Sequence, residues 1–230
     1  MKILLATSNP GKVREIAAFF GSDSVDFLSL ADVRLAPPPE TGESFAENAT
    51  MKALVAARKT GLITLAEDSG LTVDALDGAP GVRSARFAGE EADDEANNRA
   101  LLAALEGVPP KRRGAAFCCA MALAIPPESA HLLERMHHQE STHHPERTLH
   151  AERTRLSGAV HLVEGRCEGR ILTAPRGRNG FGYDPLFFVP ALGRTFAELS
   201  VAEKEAHSHR GAALRKMRDL LDTLGIISYD

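Results

Sequence analysis

The sequence contains no tryptophan and only three cysteines among its 230 residues. Cys118, Cys119 and Cys167 are too few for a disulfide framework and lack the spacing of a metal-binding motif. Long hydrophobic runs are absent too. The N-terminal apolar stretch covers only residues 3–6, far fewer than the roughly 7–15 of a signal-peptide core or the roughly 20 of a membrane helix. We therefore expect a cytosolic protein that has no membrane partner.

The balance of charge is slightly acidic, with 27 Lys and Arg against 31 Asp and Glu and a net charge of -4. This argues against nucleic acid as a partner, because a phosphate backbone attracts broad basic surfaces. Hydrophobic residues make up 43% and charged residues 25%, as in a soluble globular protein. The length suits a single domain over residues 1–230.

Strand and helix patterns alternate along the chain, which predicts the α/β class. The apolar runs that predict strands cover residues 3–6, 25–30, 62–66, 71–76, 115–125, 159–163 and 186–189. We expect the third run to end directly at Glu67-Asp68, and the run at 115–125 to form a central strand covered on both faces. Capping residues predict helices that begin after Asn9, Ser44 and Ser200, and further helices are expected over residues 94–106 and from near Ser208.

Residues 127–157 differ in composition from the rest. They contain six of the nine histidines, with Glu, Arg, Ser and Thr between them: His131, His137, His138, His143, His144 and His150. These histidines could bind a transition metal, but their spacing favours a solvated, mobile loop. The segment is interpreted as an insertion at the tip of a hairpin.

Three groups of residues are candidates for chemistry. Residues 7–12 follow the first strand with a polar turn, a helix start and a lysine, a common arrangement for binding phosphate. Acidic side chains expected at strand or helix ends form the second group: Glu40, Glu47, Glu67 and Asp68. Their hard oxygen atoms suit Mg²⁺ shared with substrate phosphates, although Glu47 is also the expected capping partner of Ser44.

The third group lies late in the chain. Residues 181–184 form an aromatic turn with a carboxylate, able to stack on a purine and to contact its polar edge. Lys204, His209 and Arg210 surround the start of the last helix, where an anion is favoured.

Five segments together resemble one family, the inosine/xanthosine triphosphate pyrophosphatases. In chain order they are LLATSNPGKVREI, ETGESFAENATMKA, AEDSGLTVDALDGAPGVRSARFAG, GFGYDPLFF and EKEAHSHRGAAL. They cover most of the chain outside residues 127–157. The resemblance implies an elongated mixed sheet flanked by helices, two lobes with the active cleft between them, and a homodimer. It also implies hydrolysis of ITP, dITP or XTP to the monophosphate and pyrophosphate, with Mg²⁺.

The resemblance further implies roles for individual residues. Asp68 is implied as the catalytic proton acceptor and, with Glu40, as a metal ligand. The residues implied to bind substrate are Thr7, Ser8, Asn9, Pro10, Gly11, Lys12, Ser69, Phe181, Gly182, Tyr183, Asp184, Lys204, His209 and Arg210.

Two positions depart from the family pattern: Ser8 stands where glycine is frequent, and Glu67 where a second aspartate is common. Two alternatives stay open. One is a pyrophosphatase similar to the septum-inhibitor nucleotide hydrolases, acting on pyrimidine or modified nucleotides. The other is a catalytically silent nucleotide-binding regulator, against which Glu40 and Asp68 argue.

Overall fold

The computed structural model describes residues 1–21, 25–127 and 159–227, which form a mixed α/β fold around a seven-stranded sheet. The strands are β1 (Lys2–Leu5), β2 (Asp26–Ser29), β3 (Thr64–Val73), β4 (Gly114–Ala124), β5 (Val160–Ile171), β6 (Phe187–Val189) and β7 (Arg194–Thr195). The α-helices are α1 (Pro10–Phe20), α2 (Phe45–Thr60), α3 (Asp94–Ala104), α4 (Val201–His207) and α5 (His209–Thr223). A short 3-10 segment, Gly81–Arg86, precedes α3.

The strands lie in the order β2-β1-β3-β4-β5-β6-β7. β1 pairs in parallel with β2 and β3, and every later pairing is antiparallel. β4 is the central strand, as its apolar sequence predicts. The alanines of β4 pack against buried alanines of α2, so the helix can lie close to the sheet. On the other face of the sheet, α1 and α5 cover a larger apolar core.

The prediction of a strand that ends at Glu67-Asp68, followed by a second strand over residues 71–76, is wrong. β4 pairs with β3 without a break from Thr64 to Val73, so Glu67 and Asp68 lie inside one long strand. On its other side, β3 is paired with β1 only at Thr64 and Leu65. In the described part of the chain, no strand pairs with this edge at residues 66–70; beyond them, Leu71 donates its N–H to Ser84 Oγ and Thr72 forms a bridge with Pro80. The polar side chains of residues 67–69 can therefore be approached without interrupting the ladder with β4.

The predictions of helix starts are confirmed. Capping boxes form between Ser44 and Glu47 and between Ser200 and Glu203, and Ser208 caps α5. These caps depend on residues two to four positions apart, and such local patterns are readable from sequence. The strand expected over residues 159–163 is longer than predicted, because β5 continues to Ile171 alongside β4.

A third apolar cluster holds the half of the sheet near β6 together with α3, around Phe187 and Phe196. No helix in the described part of the chain is long and apolar enough to cross a membrane. Residues 128–158 lie outside the described residues, and with them all of the His-rich segment 127–157 except its first residue, so the expectations placed on that segment lie outside too.

Candidate active site

A cavity of about 520 Å³ opens beside residues 66–70 of β3, on the edge that faces away from β4. Most of the residues singled out from the sequence line it: Thr7, Ser8, Asn9, Lys12, Glu40, Asp68, Ser69, Phe181, Gly182, Tyr183, Asp184, Lys204, His209 and Arg210. Pro10 begins α1, and Gly11, in the same first turn, is not among the described lining residues. Glu67 is buried behind the lining, at 2% exposure.

The turn between β1 and α1 is organised by Asn9. Its side-chain oxygen accepts hydrogen bonds from the backbone N–H groups of Gly11 and Lys12, at 2.8 and 3.2 Å. These are donors that a helix N-terminus would otherwise offer to an anion. A phosphate at this turn is therefore met first by the side chains of Thr7, Ser8 and Lys12, unless it displaces the Asn9 cap.

Gly70 lets the Gly81–Arg86 segment approach β3. A Cβ at this position would collide with Ser84 Oγ and would lie 2.7 Å from the Gly81 carbonyl oxygen. Ser84 Oγ accepts a hydrogen bond from the N–H of Leu71 at 2.9 Å and donates one to Gly81 at 2.6 Å. The close contact brings Arg86 to the wall of the cavity.

Glu67 is the centre of a buried ionic cluster. Arg210 binds it through two parallel hydrogen bonds, Nε to Oε2 at 2.8 Å and Nη2 to Oε1 at 3.0 Å. Lys12 Nζ lies 2.7 Å from Oε1. Burial alone would raise the pKa of Glu67, but the charges of Arg210 and Lys12 hold it well below its usual value. Glu67 is therefore ionised, and it fixes two cations that come from α1 and α5.

Asp68 points to the opposite face of the sheet, since side chains alternate along a strand. There Asn48 Nδ2 donates to Asp68 Oδ2 at 3.1 Å, and Lys52 Nζ lies 3.3 Å from Oδ1. Lys52 Nζ also lies 2.5 Å from Glu40 Oε1. Burial raises the pKa of Asp68 in spite of the nearby Lys52 charge. Burial opposes ionisation of Glu40, but the bond to Lys52 and the charges of Lys52, Lys12 and Arg86 together lower its pKa.

The carboxylates of Glu40 and Asp68 converge on one point, which the Lys52 ammonium occupies. Within the described ranges, no group of three or more His, Cys, Asp or Glu side chains is arranged to hold a metal ion. Two carboxylates nevertheless fit Mg²⁺, which keeps several waters and shares the remaining positions with substrate phosphates. The ammonium between them is a cation standing where a metal ion would be attracted. Glu47 is committed elsewhere: its Oε2 accepts the N–H of Glu43 at 2.7 Å and of Ser44 at 3.2 Å.

Asp184 and Lys204 form a buried ion pair at the other end of the cavity. Asp184 Oδ2 also accepts the N–H of Phe181 at 2.9 Å, and the Lys204 ammonium lies 4.4 Å from the centre of the Phe181 ring. Burial raises the pKa of Asp184 against the opposing effect of Lys204. Phe181 itself is 44% exposed, so part of its ring remains available to a ligand.

The aromatic turn is also fixed from the side of α3. Asp94 Oδ2 accepts the N–H of Gly182 at 2.6 Å, and Asn98 Nδ2 donates to the Gly182 carbonyl oxygen at 2.8 Å. The hydroxyl of Tyr183 donates to the Ser84 carbonyl oxygen at 2.7 Å. Gly182 has a φ of 60°, a left-handed conformation that favours glycine.

His209 is 5% exposed and stacks on Phe117, with ring centres 4.8 Å apart and planes 10° apart. Burial and the charge of Arg210 hold its pKa well below the usual value, so the imidazole is neutral. Its Nδ1 atom is buried and has no hydrogen-bond partner among the described residues. A neutral imidazole can serve a ligand as donor or as acceptor.

Sequence reasoning missed Asn48 and Lys52. Both lie on the apolar side of α2, one turn apart, and both are buried, at 1% and 6% exposure. Polar residues at i and i+4 among the buried alanines were the available signal, since buried polar groups require partners.

The model of the Ham1 family matches residues 3–220 of the chain. A protein of Desulforamulus reducens named dITP/XTP pyrophosphatase is 45% identical over 227 residues, covering 98% of each chain. A solved structure from Mycobacterium abscessus, described as a nucleoside-triphosphatase / dITP/XTP pyrophosphatase, is 42% identical with a TM-score of 0.70, over 96% of this chain and 99% of that one. A HAM1 protein from Coxiella burnetii is 36% identical with a TM-score of 0.78, over 97% and 99%.

Proposed function

Because the chain belongs to the Ham1 family, we propose that it hydrolyses non-canonical purine nucleoside triphosphates to the monophosphate and pyrophosphate. This proposal is supported by a single cavity that is lined by two chemically different groups of residues. One wall holds the Glu40 and Asp68 carboxylates together with Lys12, and the other holds Phe181, Asp184 and Lys204. The first suits a metal-bound triphosphate and the second a purine base. The activity named for the relatives, dITP/XTP pyrophosphatase, favours purine over the pyrimidine alternative.

Asp68 is proposed as the proton acceptor. Water attacks the α-phosphorus, a new P–O bond forms, the bridging bond to the β-phosphate breaks, and Asp68 takes the proton of the water. Burial raises the pKa of Asp68, which makes its carboxylate a stronger base than an exposed one. Asn48 donates to one carboxylate oxygen of Asp68 and so orients the group.

We propose Mg²⁺ as the divalent ion, held by Glu40 and Asp68. When bound it would neutralise phosphate charge and favour ionisation of water. Lys12, held by Glu67, adds positive charge at the turn between β1 and α1, where we propose that the triphosphate binds. Burial lowers the pKa of the Lys12 ammonium, but Glu67 raises it above its usual value. Thr7, Ser8 and Ser69 add hydroxyl groups along the same wall.

Base selection is proposed to rest on Asp184, Lys204 and His209, with the purine stacked on Phe181. Deamination turns the 6-amino donor into a carbonyl acceptor, which donors on Lys204 or His209 can satisfy. Adenine would leave such a donor unpaired, at a cost of roughly 1–3 kcal/mol for each buried group. Several mismatches together produce large rejection ratios.

A panel of nucleoside triphosphates with Mg²⁺ tests this function, with pyrophosphate and phosphate measured separately. We expect ITP, dITP and XTP to be cleaved far faster than ATP, dTTP and UTP, with pyrophosphate as the product. Asp68→Asn should lower turnover by about 10²–10⁴-fold. Asp222→Asn, an exposed aspartate on α5, is the matched control and should behave as wild type. Near-normal turnover in the Asp68→Asn variant would remove that residue from the proton-acceptor role.

We also propose a single domain, a cytoplasmic location, a homodimer, and no nucleic-acid partner. Light scattering on the eluting protein tests the dimer, and a DNA or RNA shift assay at low salt tests the last point. Gel filtration at the mass of a monomer would contradict the dimer.

A further inference from the structure

The Lys52 ammonium lies between the two carboxylates proposed to hold the metal ion. It is 2.5 Å from Glu40 Oε1 and 3.3 Å from Asp68 Oδ1, and its side chain is 8% exposed. Asn48, one turn earlier on α2, binds the other oxygen of Asp68 at 3.1 Å. The amide therefore holds Asp68 in place independently of Lys52.

An ammonium and a divalent cation cannot both occupy this position. Each needs the same carboxylate lone pairs, and Mg²⁺ requires its oxygen ligands at 2.0–2.1 Å. Two like charges a few ångströms apart also repel each other strongly in a partly buried site. Either the metal ion binds one carboxylate only, or the ammonium moves.

We propose that Lys52 is a built-in competitor of the divalent ion: its ammonium holds the Glu40–Asp68 site in the free protein and is expelled when the metal binds. This rests on the proposed function, which places the metal at these two residues. Lys52 lines the cavity, so its flexible side chain can turn toward the open space without movement of α2. Its charge is then free to meet the phosphates of the incoming substrate.

Expulsion of the Lys52 ammonium couples the binding of the metal ion to the binding of the triphosphate. In the free site, one positive charge faces two negative charges. After exchange, the metal neutralises both carboxylates and the Lys52 charge has no partner there. A polyanion supplies one, so metal and triphosphate should each strengthen the binding of the other.

The test is a Mn²⁺ titration of the protein without nucleotide, followed by electron paramagnetic resonance of free Mn²⁺. Lys52→Met vacates the position and should tighten Mn²⁺ binding by about tenfold or more. Lys52→Gln is the second variant, for use if Lys52→Met does not fold: its neutral amide removes the charge but keeps one hydrogen bond to a carboxylate. Arg86→Met is the matched control, because Arg86 acts on Glu40 only through space and lines the same cavity. It should tighten Mn²⁺ binding by no more than about threefold.

Equal tightening in the Lys52 and Arg86 variants would overturn the proposal, since loss of any nearby positive charge would then suffice. Unchanged or weaker Mn²⁺ binding in both Lys52 variants would also overturn it. If instead the metal ion does not bind at Glu40 and Asp68 at all, Glu40→Gln and Asp68→Asn will leave Mn²⁺ binding as in wild type, which separates failure of the proposed metal site from failure of the Lys52 proposal.

Discussion

Replacing Glu67 by glutamine should destabilise the fold more than any comparable change at an exposed ion pair. The Glu67 side chain is 1% exposed and that of Arg210 is 5% exposed, with Lys12 as a second cation at 2.7 Å. A carboxamide has one acceptor oxygen, so its NH₂ group must face a donor of Arg210 or Lys12. Lys12 then loses the carboxylate it is paired with, and Arg210 keeps only the partly exposed Glu15, whose Oε2 lies 2.6 Å from Nη1. Breaking a buried pair by removing one partner costs about 3–5 kcal/mol.

Urea unfolding at pH 7.5, followed by circular dichroism, measures this loss. With a slope of about 2 kcal/mol per molar urea, the midpoint should fall by about 1.5–2.5 M. Glu168→Gln is the matched control. Its partner Arg166 lies as close, at 2.6 Å, but the two side chains are 72% and 53% exposed. Solvent screens such a pair, and its midpoint should stay within about 0.5 M of wild type.

The pH dependence gives an independent check. The pKa of Glu67 is lower in the folded protein than in the unfolded chain, where it is near 4.5. Its stabilisation is therefore complete above that value and is lost as the pH falls through the folded pKa. The difference in unfolding free energy between wild type and Glu67→Gln should be constant from pH 8 to about pH 5 and should become smaller at lower pH. A Glu67→Gln midpoint indistinguishable from that of Glu168→Gln would refute this reasoning.

Three further predictions concern the cavity. Asp94→Ala removes the acceptor for the Gly182 N–H, so KM for ITP should rise several-fold while inhibition by inorganic tripolyphosphate stays unchanged; equal loss of both would contradict a role at the base. The pKa of His209 is lowered in the folded protein, so the free energy of unfolding should decrease as the pH drops below 6.5, by at most about 1.4 kcal/mol per pH unit. Urea titrations at several pH values between 5 and 7 should show a weaker dependence of that free energy on pH in His209→Gln. In the protein without Mg²⁺ and nucleotide, the Asp68 carboxyl group should titrate above 3.8 by carbon-13 NMR, because burial raises its pKa; a titration below that value would contradict this environment.

The parts of the fold that could be predicted from sequence are those set by near neighbours. Asn9, Ser44 and Ser200 each accept backbone N–H groups two or three residues later, and such patterns need no knowledge of the rest of the chain. The continuous apolar sequence of β4 likewise predicts a strand that is buried on both faces, and this prediction does not require knowing which strands lie beside it.

The continuity of β3 was missed because its polar residues resemble the end of a strand. Glu67, Asp68, Ser69 and Gly70 are residues expected in a turn, yet the ladder with β4 holds all four in an extended strand. Tertiary pairing decided the structure against local preference. The partners of these side chains were also beyond sequence reasoning: Arg210 lies 143 residues from Glu67, and Lys52 lies 16 residues from Asp68 on another element.

Strand continuity explains how two neighbouring carboxylates acquire different properties. Had Glu67 and Asp68 ended a strand in a turn, both could have faced the same ligand. Within a strand they face opposite sides, and each meets different cations. Both are buried, at 2% and 7% exposure, yet the pKa of Glu67 is lowered by Arg210 and Lys12 while that of Asp68 is raised by burial. Carboxylates whose environments separate their pKa values take different chemical roles. We therefore propose that Glu67 holds the fixed cations and that Asp68, the more basic of the two, accepts the proton.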